Sequence, residues 1–300
     1  MMKPIVTQIQ PRIGWLNTDT DSTGWNIENP SDFLERIEYQ IHNSVANNIR
    51  IVSLNLYINN LDSLLEDLLD SRDALVKHRI QTITNLVSYH QIRLVFCLLK
   101  GGYMLVHSME AKREACVDIL NSLGVLMDIF SPQQGDILIK IGSAYGNRKN
   151  SIALFNSEIS KVNKSALDRL AIVNDEEPSL FSVTDILAGI FLQNKIPISF
   201  RTLSQLAHNG GLSMRESFML CYSTWGEGRK PLFIHAEPTE FLHSKYKSPI
   251  AIVDILKHRI PSYGVEFDAL IQTSSGVEAC IDYYNNWRSL PPIVIPKEEK

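Results

Sequence analysis

The chain has 300 residues, 44 % of them hydrophobic and 21 % charged, with a formal net charge of −4. That is ordinary globular material with ample core; the charge argues against a surface coated for nucleic acid but leaves room for a local basic cleft. No run approaches about 18 uncharged apolar residues and the N-terminus has no apolar signal core, so the expectation is a cytoplasmic protein with no membrane partner.

Along the chain, strand-like and helix-like periodicity alternate. "PRIGW" (11–15) is the first strand, followed by a helix from about Ser31 with Leu34, Ile37, Ile41 and Val45 on one face. "IRIVSLNLYI" (49–58) is the second strand, and a long helical region ends near His90. "IRLVFCLL" (92–99) is the third, leading into a helix around "EAKREACVDILNSLGVLMDIF". "DILIKIG" (136–142) is the fourth, with a helix from Asn150 to about Val162, and "RLAIVN" (169–174) the fifth. Ser182 with Asp185 forms a capping box at the start of the next helix. "IPISFR" (196–201) is the sixth strand, and Ser213 with Glu216 forms a second box before "RESFMLCYSTW". "PLFIHA" (231–236) is the seventh, with a helix around "AIVDILKHRI"; "FDALIQT" (267–273) is the eighth, and "EACIDYYNNW" the last helix.

Strands that are β-branched and apolar on both faces suit a parallel sheet covered by helices. Eight units in succession predict an α/β fold, a closed (β/α)8 TIM barrel, over residues 1–290 as one domain, with a flexible tail at 291–300. A doubly wound open sheet is the alternative, weakened because no glycine-rich phosphate fingerprint follows the first strand. Four cysteines, Cys97, Cys116, Cys221 and Cys280, lie inside apolar patterns without a C-x-x-C pair, so buried reduced thiols are expected.

In such a barrel, chemistry gathers where strands end. Of eight histidines only His235 stands at a strand end, and the acids nearby are Asp175, Glu176 and Glu237. Lys140 and Arg201 stand on the strands themselves. Two cations there repel a divalent ion and suit an anion better.

Several blocks resemble the UV damage endonuclease family. They are "PRIGW", "IRLVFCLLKGGYMLVHS", "KIGSAYGNRKNSIALF", "RLAIVNDEE", "IPISFRTLSQLAHNGGLSMRESFMLCYSTWGEGRKPLFIH" and "HRIPSYGVEFDALIQTSSGVEA". The resemblance implies an xylose-isomerase-like barrel that nicks DNA beside photolesions with divalent metals, manganese or zinc, held by His, Glu and Asp. The ligands themselves are replaced. The third-strand histidine falls on Cys97 or Leu99 and the fourth-strand histidine on Lys140. The glutamate of a Glu-Asn-Asp block falls on Val173, with Asn174 and Asp175 kept. The sixth-strand aspartate is Arg201, and the histidine after it Ser204. A later histidine is Ile252, with Asp254 kept, and the eighth-strand glutamate is Gln272. His235 stands one residue out of register with a family ligand.

The expectation is therefore a degenerate member, with no cofactor, binding DNA or another phosphate-bearing ligand at the mouth. Candidate contacts are Lys140, Arg201, Tyr103, Tyr145, Asn174, His235, Trp15 and Gln272. The aromatic ones would stack on bases, while the two cations would hold phosphate or pair with Asp175, Glu176 or Glu237. Arg148, Lys149, Arg229 and Lys230 are loop charges within reach of a DNA backbone or simply solvated. The alternatives are an active endonuclease with displaced manganese or zinc ligands, His235 and Asp175 being the metal candidates, and a scaffold for a protein partner.

Overall fold

Arg93–Leu98 is buried along its whole length, the mark of a strand with helices outside it and other strands' side chains inside. The computed structural model describes residues 9–17, 29–56, 61–99, 105–131, 134–142, 147–177, 180–236, 259–273 and 276–289. The strands are β1 (Arg12–Asn17), β2 (Ile51–Asn55), β3 (Arg93–Leu98), β4 (Gly135–Ile139), β5 (Leu170–Val173), β6 (Ile198–Ser199), β7 (Leu232–Ala236) and β8 (Asp268–Thr273). The helices between them begin with α1 (Pro30–Ala46), α2 (Leu61–Leu69), α3 (Ala74–His90), α4 (Glu110–Phe130), α5 (Arg148–Ile159) and α6 (Lys164–Leu167). Then come α7 (Val183–Ile186), running through a π turn at Leu187–Phe191 into α8 (Leu192–Asn194), and α9 (Thr202–Ala207), α10 (Met214–Ser223) and α11 (Val277–Asn286).

All pairings are parallel. β2 to β6 form one run and β1–β8–β7 another. Arg201 bridges to Ile234 across the first seam, where Ile234 N donates to the Phe200 carbonyl at 2.8 Å and Ser199 Oγ to the Leu232 carbonyl at 2.6 Å. At the second seam Ser53 Oγ donates to the Trp15 carbonyl. Gly14 permits the approach, since a Cβ there would come within 2.8 Å of Ile51 Cβ. The ring is a TIM barrel.

Some expectations shift at element ends. The long helical region before His90 is two helices, and Asp73 starts the second by accepting from Leu75 N at 2.8 Å. α5 begins two residues earlier than its pattern implied, because Asn147 accepts from Asn150 N at 2.8 Å. Both capping boxes form as expected. The helix expected around 251–260 falls largely on residues 251–258, which lie outside the described residues, as does the tail 291–300. Among the described residues no helix is long and apolar enough to cross a membrane.

The barrel's amino end is closed by charge rather than by aliphatic side chains. Arg93 donates through Nε to Asp136 at 2.7 Å and through Nη1 to Asp268 at 2.8 Å. Arg12 meets Asp268 at 2.6 Å, Lys230 meets it at 3.1 Å, and Arg229 meets Asp136 at 2.8 Å. Burial pushes both aspartates up, and the arginines beside them more than reverse it. Arg229 also lies 4.8 Å from the centre of the Trp225 ring. Arg229 and Lys230 therefore belong to this floor. They are not part of the mouth.

Candidate functional site: the carboxyl end of the barrel

Strand register identifies what points inward at the mouth, because side chains alternate faces and register partners share one. Asp268 and Arg93 meet inside the floor, so Gln272, four residues along β8 from Asp268, faces inward, and so does its register partner Ala236 on β7. Cys97 faces inward four residues along β3 from Arg93, and Lys140 four along from Asp136 at the end of β4. Val173 and Arg201 hold the corresponding interior positions at the ends of β5 and β6. These six positions carry a thiol, an ammonium, an isopropyl, a guanidinium, a methyl and an amide.

His235 and Trp15 lie on the other face. His235 shares its side of β7 with Phe233, which packs against Phe218 of α10 at 4.9 Å between ring centres, and its own ring lies 6.2 Å from that of Phe267. The side chain sits between sheet and helices and does not line the mouth as its strand-end position suggested. Burial pulls its pKa down to about 3, so the ring is neutral. Trp15, in register with Ile271, likewise faces the helix layer, beside Gly276 ahead of α11. Tyr103, Tyr145, Glu237, Ile252 and Asp254 lie outside the described residues.

Four of the sequence candidates do meet. Arg201 is buried, with its backbone clamped by Asn174: Oδ1 accepts from Arg201 N at 2.8 Å, and Nδ2 donates to Arg201 O at 3.4 Å. Its Nε donates to Gln272 Oε1 at 3.0 Å. Its Nη1 donates to Glu176 Oε2 at 2.6 Å and to Ser204 Oγ at 3.4 Å. Lys140 Nζ reaches the same Glu176 oxygen at 2.7 Å and Asp175 Oδ1 at 3.0 Å. Glu176 Oε2 also accepts from Ser204 Oγ at 3.5 Å. One carboxylate oxygen thus collects an ammonium, a guanidinium and a hydroxyl.

The protonation states follow from these partners. Burial pushes Glu176 up, but Arg201 and Lys140 outweigh it and hold the carboxyl at about 2. Asp175 is more deeply buried, and for it desolvation wins over Lys140, raising the pKa. Its Oδ2 has no hydrogen-bond partner among the described residues.

Glu176 and Ser204 are members outside the candidate contacts drawn from the sequence, where Ser204 stands out only as the residue at a family histidine's place. Glu176 stands there beside Asp175 and Glu237 as one possible counter-ion among three. Adjacent acids after a strand do not reveal which will turn toward the cations.

Among the described residues, the donor set at the mouth does not fit a cluster of divalent ions. Among the described residues the two carboxylates at the mouth, Asp175 and Glu176, are engaged by cations, and a dication placed between Lys140 and Arg201 would be repelled, on the order of 4 kcal/mol per unit charge at 4 Å in partly screened surroundings. Burial pushes the Cys97 thiol far up, so it remains protonated, whereas a metal requires thiolate. Among the described residues no three His, Cys, Asp or Glu side chains come together as a metal-binding group.

No family model matches the chain. Over 154 residues, half of the chain, it is 25 % identical to a UV DNA damage endonuclease of Clostridium perfringens, a match spanning only 36 % of that protein's length. The fold is similar to that of SacUVDE, with a TM-score of 0.67 at 18 % identity over 94 % of this chain and 99 % of the other. It is also similar to endonuclease IV from Thermus thermophilus, with a TM-score of 0.56 at 13 % identity over 93 % and 97 % of the two chains. A 3-keto-D-glucoside 4-epimerase from E. coli shares the same architecture at 9 % identity and a TM-score of 0.56, covering 93 % and 100 %. The chain is thus a (β/α)8 barrel that is similar in sequence, over half its length, to a UV DNA damage endonuclease.

Proposed function

We propose that this barrel binds DNA, or another phosphate-bearing ligand, at its carboxyl-terminal mouth without the divalent-metal cluster that the resemblance implies. The observation that carries the reading is the convergence of Lys140 and Arg201 on Glu176, where a metal site would need converging acids and imidazoles. A buried guanidinium braced by Gln272 and by Asn174 is a preorganised fork for an oxyanion. The relative that the sequence points to is named for DNA damage, which puts DNA first among phosphate-bearing ligands. We read residues 1–290 as one domain because β1 pairs with β8, and we place it in a reducing compartment, the cytoplasm, where its four buried free cysteines are at home.

The test combines binding, metal content and incision. Fluorescence anisotropy with duplex DNA, intact and ultraviolet-irradiated, is expected to show affinity that falls with salt. Arg201→Ala and Lys140→Ala should each weaken it by about tenfold, in line with losing a charge-assisted contact. Elemental analysis should find no stoichiometric manganese or zinc, and irradiated duplex should stay unnicked. Near-stoichiometric metal together with nicking establishes the active-endonuclease reading instead, and affinity unchanged in both variants removes the mouth as the binding site.

A further inference from the structure

The cations at the mouth are already occupied, and by what is the informative point. Glu176 follows β5 in irregular chain, with a quarter of its side chain exposed, whereas the Lys140 and Arg201 side chains beneath it are 16 % and 9 % exposed. Glu176 is thus the most exposed of the three side chains. It engages them through Oε2 alone, which accepts from Lys140 Nζ at 2.7 Å, Arg201 Nη1 at 2.6 Å and Ser204 Oγ at 3.5 Å. Arg201 spends Nε on Gln272 and Nη1 on Glu176, and among the described residues its Nη2 has no partner.

We infer that Lys140, Arg201 and Ser204 form a seat for one phosphate group, and that Glu176 fills this seat in the ligand-free protein as a built-in stand-in. The inference rests on the reading of the mouth as a phosphate-binding site and adds how the site is kept closed. A phosphodiester carries the same single charge as the carboxylate it displaces, so the exchange is neutral. Its two anionic oxygens are held tetrahedrally and can take Nη1 and Nη2 of the guanidinium together, the bidentate geometry that a planar fork favours. Glu176 reaches only one of them. Swinging Glu176 outward returns its charge to water while the phosphate takes over the two cations it leaves, and because Glu176 hangs from loop backbone no strand pairing is broken. Asp175 stays behind on Lys140 and keeps that ammonium placed.

Thermal unfolding in phosphate and in chloride at equal ionic strength tests the seat, with inorganic phosphate as the probe. Glu176→Gln removes the competing charge and leaves two cations short of a partner. It is expected to melt lower than wild type in chloride, to recover saturably in phosphate, and to bind phosphate at least tenfold more tightly than wild type. The double variant Glu176→Gln with Arg201→Ala should lose that response. Glu176→Asp retracts the carboxylate by one methylene while keeping its charge. It covers the case in which the glutamine variant does not fold, with phosphate affinity expected to rise about threefold. A phosphate response no stronger in either Glu176 variant than in wild type overturns the seat. If DNA binding nevertheless remains sensitive to Arg201→Ala, only the stand-in role of Glu176 fails, whereas loss of both findings fails the mouth reading as well.

Discussion

His235 shows how one residue's environment sets its chemistry. Its ring is buried against Phe267 on the helix-facing side, its Nε2 has no partner among the described residues, and its pKa falls from 6.5 to about 3. The unfolded chain therefore takes up a proton near pH 6.5 that the folded protein refuses. The contribution is therefore fully present above pH 6.5 and is lost as pH falls toward 3. Urea unfolding of wild type at pH 7.0, 5.5 and 4.5 is expected to show stability declining across this window. His235→Leu should lack the part of the decline that precedes carboxylate titration. An identical decline in the variant would mean that the histidine is protonated in the folded state. Glu176 and Asp175 show the same dependence on surroundings from the opposite side, one lowered by two cations and its neighbour raised by burial.

At the scale of elements, short polar signals decide where helices begin. Ser213 accepts from Glu216 N at 3.3 Å while Glu216 Oε2 accepts from Ser213 N at 2.9 Å, an exposed reciprocal cap. Ser213→Ala is expected to cost about 1 kcal/mol by chemical unfolding. Ser182 makes the equivalent cap at α7, but its hydroxyl also meets Asp185 Oδ2 at 2.7 Å and Thr184 Oγ1 at 2.8 Å in a part-buried setting. Ser182→Ala should therefore cost more than Ser213→Ala, and equal costs would show that the extra bonds contribute nothing net. Both boxes were legible as Ser-x-x-acid because a cap is a local event, complete within four residues. The break between α2 and α3 was not, since Leu68 and Leu69 resume seven residues on at Leu75 and Val76, the spacing of two helical turns. The polar run Asp70–Asp73 between them reads equally as an exposed face; the cap at Asp73 marks the new start.

For the whole molecule, Arg93 is the residue through which the barrel's floor is tied. Its bonds reach Asp136 and Asp268, 43 and 175 positions away, and the Lys230 carbonyl. Arg93→Met would leave two buried carboxylates short of their central partner and is expected to destabilise by about 3–5 kcal/mol. The measurement is the urea midpoint at pH 7, where both aspartates are ionised. A loss within about 1 kcal/mol, the range of an exposed pair, would show that Arg12, Arg229 and Lys230 suffice to hold the floor. Charge at this end and a separate charged group at the mouth sandwich an apolar middle layer that includes Val95, Leu138 and Leu270.

The alternation of apolar strands with amphipathic helices was enough, by itself, to indicate a closed (β/α)8 ring, because each unit must bury one face of a helix on both-sided strands and eight such units leave no edge. The positions of Lys140, Val173, Arg201 and Gln272 were legible too, since each stands where a readable apolar strand runs out. Which way His235 and Trp15 face was not legible: a shift of one residue reverses the face, and only pairing across the sheet fixes the register. Nor could order along the chain select Glu176 over Asp175 as the shared acceptor. That choice was made by where three strand ends, far apart in sequence, converge in space.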